Sequence, residues 1–136
     1  MDALDRKILA FLKENSRATY MAMAKALDLS EGAVRQRVKR LTQSGAIRRF
    51  TIEVADDNPR AIVFVTTSPA VPTSRVAEEI SYLTGVESVV EVAGQYDISV
   101  VVLGEDILSV NKSIDAIRGV EGVQNTNTLF VLRRWK

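Results

Sequence analysis

Arg35, Gln36, Lys39, Arg40 and Gln43 fall within nine residues of one another, and these side chains grip surfaces rather than break bonds. Arginine and glutamine make paired hydrogen bonds to guanine and adenine edges. Lysine and arginine neutralise phosphates. Carboxylate or lysine chemistry stays possible, but the commonest catalytic side chains are missing by contrast. The 136-residue chain has no histidine and no cysteine, which removes the usual general base at neutral pH, thiolate nucleophiles, disulfides and most zinc sites. Ser16, Ser30 and Ser44 have no histidine to activate them. The expectation is a binding protein that needs no cofactor or metal, and not an enzyme.

The elements that must position this cluster can be read from spacing. Val34, Val38 and Leu41 form a narrow apolar stripe, which predicts a helix over 31–43 with Ser30 as its cap and Gly45 just past its end. A step of about 100° per residue then turns Gly32, Arg35, Gln36, Lys39, Arg40 and Gln43 outward. Arg35 and Gln36, near the amino end, are expected to meet base edges. Lys39, Arg40, the Ser30 hydroxyl and the first helical N–H groups are expected to meet phosphates. Gly32 would let the helix end approach closely. Arg37 lies nearer the stripe and reads as an ion-pairing residue. Leu4, Ile8, Leu9, Phe11 and Leu12 predict a helix over 4–15 after an Asp2 cap. Thr19 caps another over 20–27, with Met21, Ala24 and Leu27 on one face. The short Asp28-Leu29 connection makes the last two helices a helix-turn-helix, whose second member projects into a major groove of double-stranded DNA. The bland alternative is a solvated basic helix face.

Charge separates the two halves. Residues 1–55 hold eleven Lys/Arg against six Asp/Glu, whereas residues 56–136 hold seven against eleven. A basic front and an acidic back imply that only the front meets a polyanion. Ile47–Val54 alternates enough for a strand, a wing or a lead-in to the linker at 56–60, which contains Pro59. From residue 61 the period changes. Strands are expected over 61–67, 86–92, 98–103 and 124–132, with helices over 73–84 and 106–118. The order β-α-β-β-α-β is the ferredoxin-like arrangement, so the fold class is α+β: an N-terminal winged helix-turn-helix over 1–55 and a C-terminal ferredoxin-like βαββαβ domain over 61–136. Both helices cross on one side of the sheet. The other face, rich in valine, has no cover in this chain, which predicts that two sheets pack together in a homo-oligomer.

Leu4-Asp5-Arg6-Lys7-Ile8-Leu9, Ala24 to Ser30, Val34-Arg-Gln-Arg37 and Arg40-Leu41 to Gly45-Ala-Ile47 resemble the Lrp/AsnC (feast/famine) transcription regulators. Gly94-Gln-Tyr96-Asp97 and Val123-Gln-Asn-Thr126-Asn-Thr128 continue the resemblance in the second half. It implies a DNA-binding domain joined to a ligand-binding domain that pairs sheet to sheet into dimers, often tetramers or octamers. It also implies a free amino-acid effector held between dimers. By position, Gly94, Tyr96, Asp97, Thr126 and Thr128 are the candidate effector residues, Asp97 taking the ammonium. Asp56–Arg60 is shorter than the family's usual connection.

From the residues alone, Gly94 to Asp97 is equally an ordinary turn with Tyr96 packed over it, and Thr126 and Thr128 share a strand face as any residues two apart do. The resemblance to regulators of amino-acid synthesis implies lysine and glutamine as candidate effectors, and the negative charge of Glu91 and Asp97 near the turn gives lysine the marginal preference. The expected activity is sequence-specific transcription regulation of amino-acid metabolism. Two alternatives stand beside it: an architectural DNA binder with little sequence preference, and a small-molecule-binding ferredoxin-like domain carrying a protein-interaction module. No apolar run reaches the roughly 18 residues of a membrane span, and Asp2 and Asp5 do not suit a signal peptide. The expected location is cytoplasmic, without a membrane partner.

Overall fold

The structure, a computed structural model, describes residues 1–135, which divide into two compact units on either side of the Ala55–Asp56 boundary. The first unit contains three helices, α1 (Ala3–Glu14), α2 (Tyr20–Leu27) and α3 (Glu31–Gln43). Each begins with a side-chain cap. Asp2 and Asp5 form a reciprocal capping box on α1, Thr19 Oγ1 accepts from the Ala22 N–H, and Ser30 Oγ accepts from the Ala33 N–H. Such caps satisfy N–H groups that the helix itself leaves unpaired. Asp28 closes α2 in the left-handed region (φ 53°), a conformation that Asp tolerates better than most residues. That single residue turns the chain directly into α3. Ile8, Met23, Ala24, Val34, Val38, Leu41 and Ile47 form the core. The stripe on α3 is buried as its spacing predicts. On α2, however, Met23 is buried and Met21 is exposed.

The strand expected over 47–54 is absent: residues 48–59 form neither helix nor ladder. Their alternation is real, but a strand needs a partner strand, and none of the described residues supplies one. Phe50, Ile52 and Val54 are left exposed.

The second unit runs β1 (Arg60–Thr67), α4 (Thr73–Ser81), β2 (Val86–Glu91), β3 (Ile98–Leu103), α5 (Ile107–Arg118) and β4 (Val123–Phe130). The strands lie in the order β2-β3-β1-β4, every neighbour antiparallel. Val63 and Val65 of β1, Ile98, Val100 and Val102 of β3, and Val76, Ile80, Val110, Ile114 and Ile117 of the helices form a core on one side. The other face carries Ile62, Phe64, Val101, Val90 and Leu129, and no layer of this unit covers it. Val90 and Leu129 are each more than half exposed.

Candidate DNA interface and effector turn

The cation cluster sits on α3, and the anchor of that helix is acidic. Asp5, only 1% exposed, accepts hydrogen bonds from Arg37 Nη1 (2.7 Å) and from Arg40 Nη2 at both carboxylate oxygens (3.0 and 3.1 Å). Arg37 Nη1 also donates to Asp2 at 2.6 Å. Two carboxylates at the start of α1 therefore hold two arginines one turn apart on α3. Charge-assisted bonds of this kind fix direction as well as charge. Arg37 is an ion-pairing residue as its place beside the stripe predicts. Arg40 is not the free phosphate contact expected from its outward position: although its side chain is 61% exposed, it is engaged by Asp5. Sequence reasoning missed Asp5 as an anchor. The available signal was its spacing of three from buried Ile8, which places it on the inner face of α1.

The Asp2 N–H, and then the two arginines, hold the Asp5 carboxyl down to about 2. The Arg37 guanidinium lowers Asp2 too, and the two carboxylates raise Arg37 in return. A carboxyl lowered on folding binds more protons when unfolded, so its stabilisation is complete above the ordinary carboxylate value and fades as pH falls toward the folded one. Helical circular dichroism melts between pH 6 and pH 2 should therefore show stability falling below about pH 4. Asp5→Asn should start less stable and show a shallower fall. Parallel pH profiles for the two proteins would contradict the role of Asp5.

Arg35, Gln36, Lys39 and Gln43 are all exposed except where Arg35 meets neighbours. Arg35 Nη2 bonds Glu31 Oε1 at 2.7 Å, and its guanidinium carbon lies 4.8 Å from the centre of the Tyr20 ring. Gln36, Lys39 and Gln43 line a recess of about 550 Å³ with Ala33, Arg37 and Arg40. A Cβ added at Gly32 would meet nothing within 4 Å, so nothing inside the chain demands glycine there. The Ser30 oxygen is occupied as a cap acceptor, which leaves its O–H free to donate.

In the second unit the candidate effector residues do not converge. Tyr96 lies on the uncovered face, stacked on Phe64 with ring centres 4.9 Å apart, and its hydroxyl accepts from Asn127 Nδ2 at 2.8 Å. Gly94 is exposed in the turn, with φ +145°. Asp97 Oδ2 accepts from the Thr67 N–H (2.7 Å) and hydroxyl (3.1 Å), tying down the end of β1. Thr126 and Thr128 pair with Val65 and Val63, so both point to the helix-covered side, away from Tyr96. Thr126 Oγ1 accepts from Arg118 Nε, while the Thr128 hydroxyl is buried with no partner among the described residues. Asn127, which sequence reasoning passed over, is the β4 residue that meets Tyr96.

No group of three or more metal-ligating side chains occurs among the described residues, and no helix among them is long and apolar enough to cross a membrane. Residues 1–42 match the AsnC-type helix-turn-helix domain, and residues 60–136 match the Lrp/AsnC ligand binding domain. The chain is 46% identical over 136 residues to the HTH-type transcriptional regulator LysM of Saccharolobus solfataricus, covering 99% of this chain and 96% of that protein. It is 31% identical to the HTH-type transcriptional regulator FL11 of Pyrococcus abyssi, covering 100% and 92%. Among solved structures, PH0061 superposes with a TM-score of 0.90 at 29% identity, covering 100% of this chain and 95% of that one. Escherichia coli AsnC gives 0.78 at 26%, covering 98% and 93%. The chain belongs to the Lrp/AsnC family: it is a DNA-binding transcriptional regulator, not an enzyme.

Proposed function

We propose that this regulator reads a two-fold related operator with α3, assembles through the uncovered face of its sheet, and responds to a free amino acid at the β2–β3 turn. The observation that carries the reading is the exposed row Arg35, Gln36, Lys39 and Gln43 on a helix whose neighbouring arginines are already anchored. Arg35 and Gln36 contact bases. Lys39, Gln43 and the Ser30 O–H contact phosphates, with Gly32 admitting the backbone closely. In a dimer the two α3 helices would lie about one turn of DNA apart, or a multiple of it. Duplex binding that falls steeply with salt and survives competitor DNA tests the reading. Equal affinity for every duplex would favour an architectural binder instead.

The Asp5 contacts divide the cations into two kinds. Lys39→Ala should weaken binding to all sequences alike and flatten the slope of log affinity against log salt by about 0.9, as loss of one phosphate contact does. Arg40→Ala should leave that slope nearly unchanged and lower the melting temperature. A slope change in Arg40→Ala as large as in Lys39→Ala would place Arg40 on the phosphates after all.

For the effector we propose lysine first and glutamine second, with genes of amino-acid metabolism as the targets. Gly94, Tyr96 and Asp97 supply one side of the site. Since the effector would lie between dimers, Thr126 completes it from another copy. The buried hydroxyl of Thr128 takes no part. Support comes from the charge of Asp97 and the nearby, exposed Glu91, and from the amino-acid partner of a structural relative, the regulator NMB0573 solved as an L-Met complex (TM-score 0.83, 24% identity). A thermal-shift screen of the full chain against the twenty amino acids should give one clear rise, about 2.7 kcal/mol of stabilisation at a hundred times the dissociation constant. Asp97→Asn, which keeps an acceptor for Thr67, should abolish most of the rise. No rise with any amino acid would remove the effector proposal and leave DNA binding untouched.

A further inference from the structure

The Arg35 side chain is not a free reader. Glu31, one turn earlier on α3, holds Nη2 at 2.7 Å, and the Tyr20 ring lies against the guanidinium face at 4.8 Å. Tyr20, Glu31, Arg35 and Phe50 line one recess of about 440 Å³. An exposed i,i+4 ion pair adds little to stability. What remains is its effect on charge and direction. A lone arginine at this position would be drawn to any phosphate, raising affinity for all duplexes equally. Paired with Glu31 it is close to neutral, and the carboxylate repels phosphate from the amino end of α3, which would otherwise attract it. The Tyr20 ring limits the directions the guanidinium can take, so less freedom is lost when it docks in the plane of a base.

We infer that Glu31 and Tyr20 are specificity-determining residues: they make Arg35 discriminate guanine, through its N7 and O6 acceptors, instead of merely attracting DNA. The inference rests on the reading of Arg35 as a base contact and adds the residues that make the contact selective. Arg35 alone supplies the hydrogen bonds, and the other two are positioning residues.

Selection from a random duplex library with the full chain, followed by salt titrations on the best and a scrambled sequence, provides the test. Glu31→Gln should bind the scrambled duplex several-fold more tightly, with a salt slope steeper by about 0.9 as Arg35 gains a phosphate. Its preference for guanine at the Arg35 position should fall about tenfold. Tyr20→Leu should lose about fivefold of that preference, the lower end of what one base contact discriminates, with no change in slope. Glu31 is exposed, so its melting temperature should not move. Wild-type preference and slope in Glu31→Gln would overturn the inference. Arg35→Ala separates this failure from that of the parent reading: if it too retains every base preference, Arg35 reads nothing and both fall.

Discussion

Gly85→Ala is expected to destabilise the C-terminal unit by about 2–4 kcal/mol, from left-handed backbone strain and overpacking together. Gly85 adopts φ +82°, and an added Cβ would fall on the Ser113 hydroxyl and 3.0 Å from the Leu103 carbonyl oxygen. Neither neighbour can yield cheaply. Ser113 is buried and bonds the Thr84 carbonyl at 2.9 Å, and the Leu103 N–H donates to the Gly85 carbonyl at 2.8 Å. The substitution would thus loosen the end of β3 and its link to α5 together. Gly119 is the matched control. Its backbone is right-handed and its nearest neighbour would be 3.5 Å from a new Cβ, so Gly119→Ala should have little effect. Chemical denaturation of the two variants decides the point, and equal midpoints would refute it.

Arg35→Ala is expected to lower operator affinity by about 5- to 150-fold, the range of one good bidentate base contact. Affinity for scrambled duplex should change far less, because the Glu31 pairing already offsets the arginine's charge. The specificity ratio therefore falls with the affinity. Competition binding at fixed salt measures both. An equal loss on operator and scrambled duplex would mark Arg35 as a phosphate contact.

Much of this molecule is written locally. The caps at Asp2, Thr19 and Ser30 and the stripe Val34, Val38 and Leu41 were legible because they depend on neighbours three or four residues away. The apolar, valine-rich runs of β1 and β3 were equally plain as strands. What escaped depends on distant partners. The Met-Ala-Met-Ala run of α2 fits two helical faces almost equally, and only packing against α1 and α3 selects Met23. Residues 47–54 alternate, yet local pattern cannot supply a partner strand. A period of two places Thr126 and Thr128 on one face, but register against β1 is needed to say which, and it turns them from Tyr96 toward α5. Arg40 looked free because its partner Asp5 lies 35 residues away: local spacing puts Asp5 on the inner face of α1 but does not name the arginines it meets.

The ionic anchor beneath α3 has one more implication. The resolved displacements of its acids are downward and that of its arginine upward, all away from neutrality. The chain also lacks the two side-chain types, histidine and cysteine, whose ordinary values lie nearest it. Asp2, Asp5 and Arg37 thus keep their charges between about pH 5 and 8. Across that interval the charges that seat α3 on α1 are constant. Mild acidification therefore leaves the ionic seat of α3 against α1 intact.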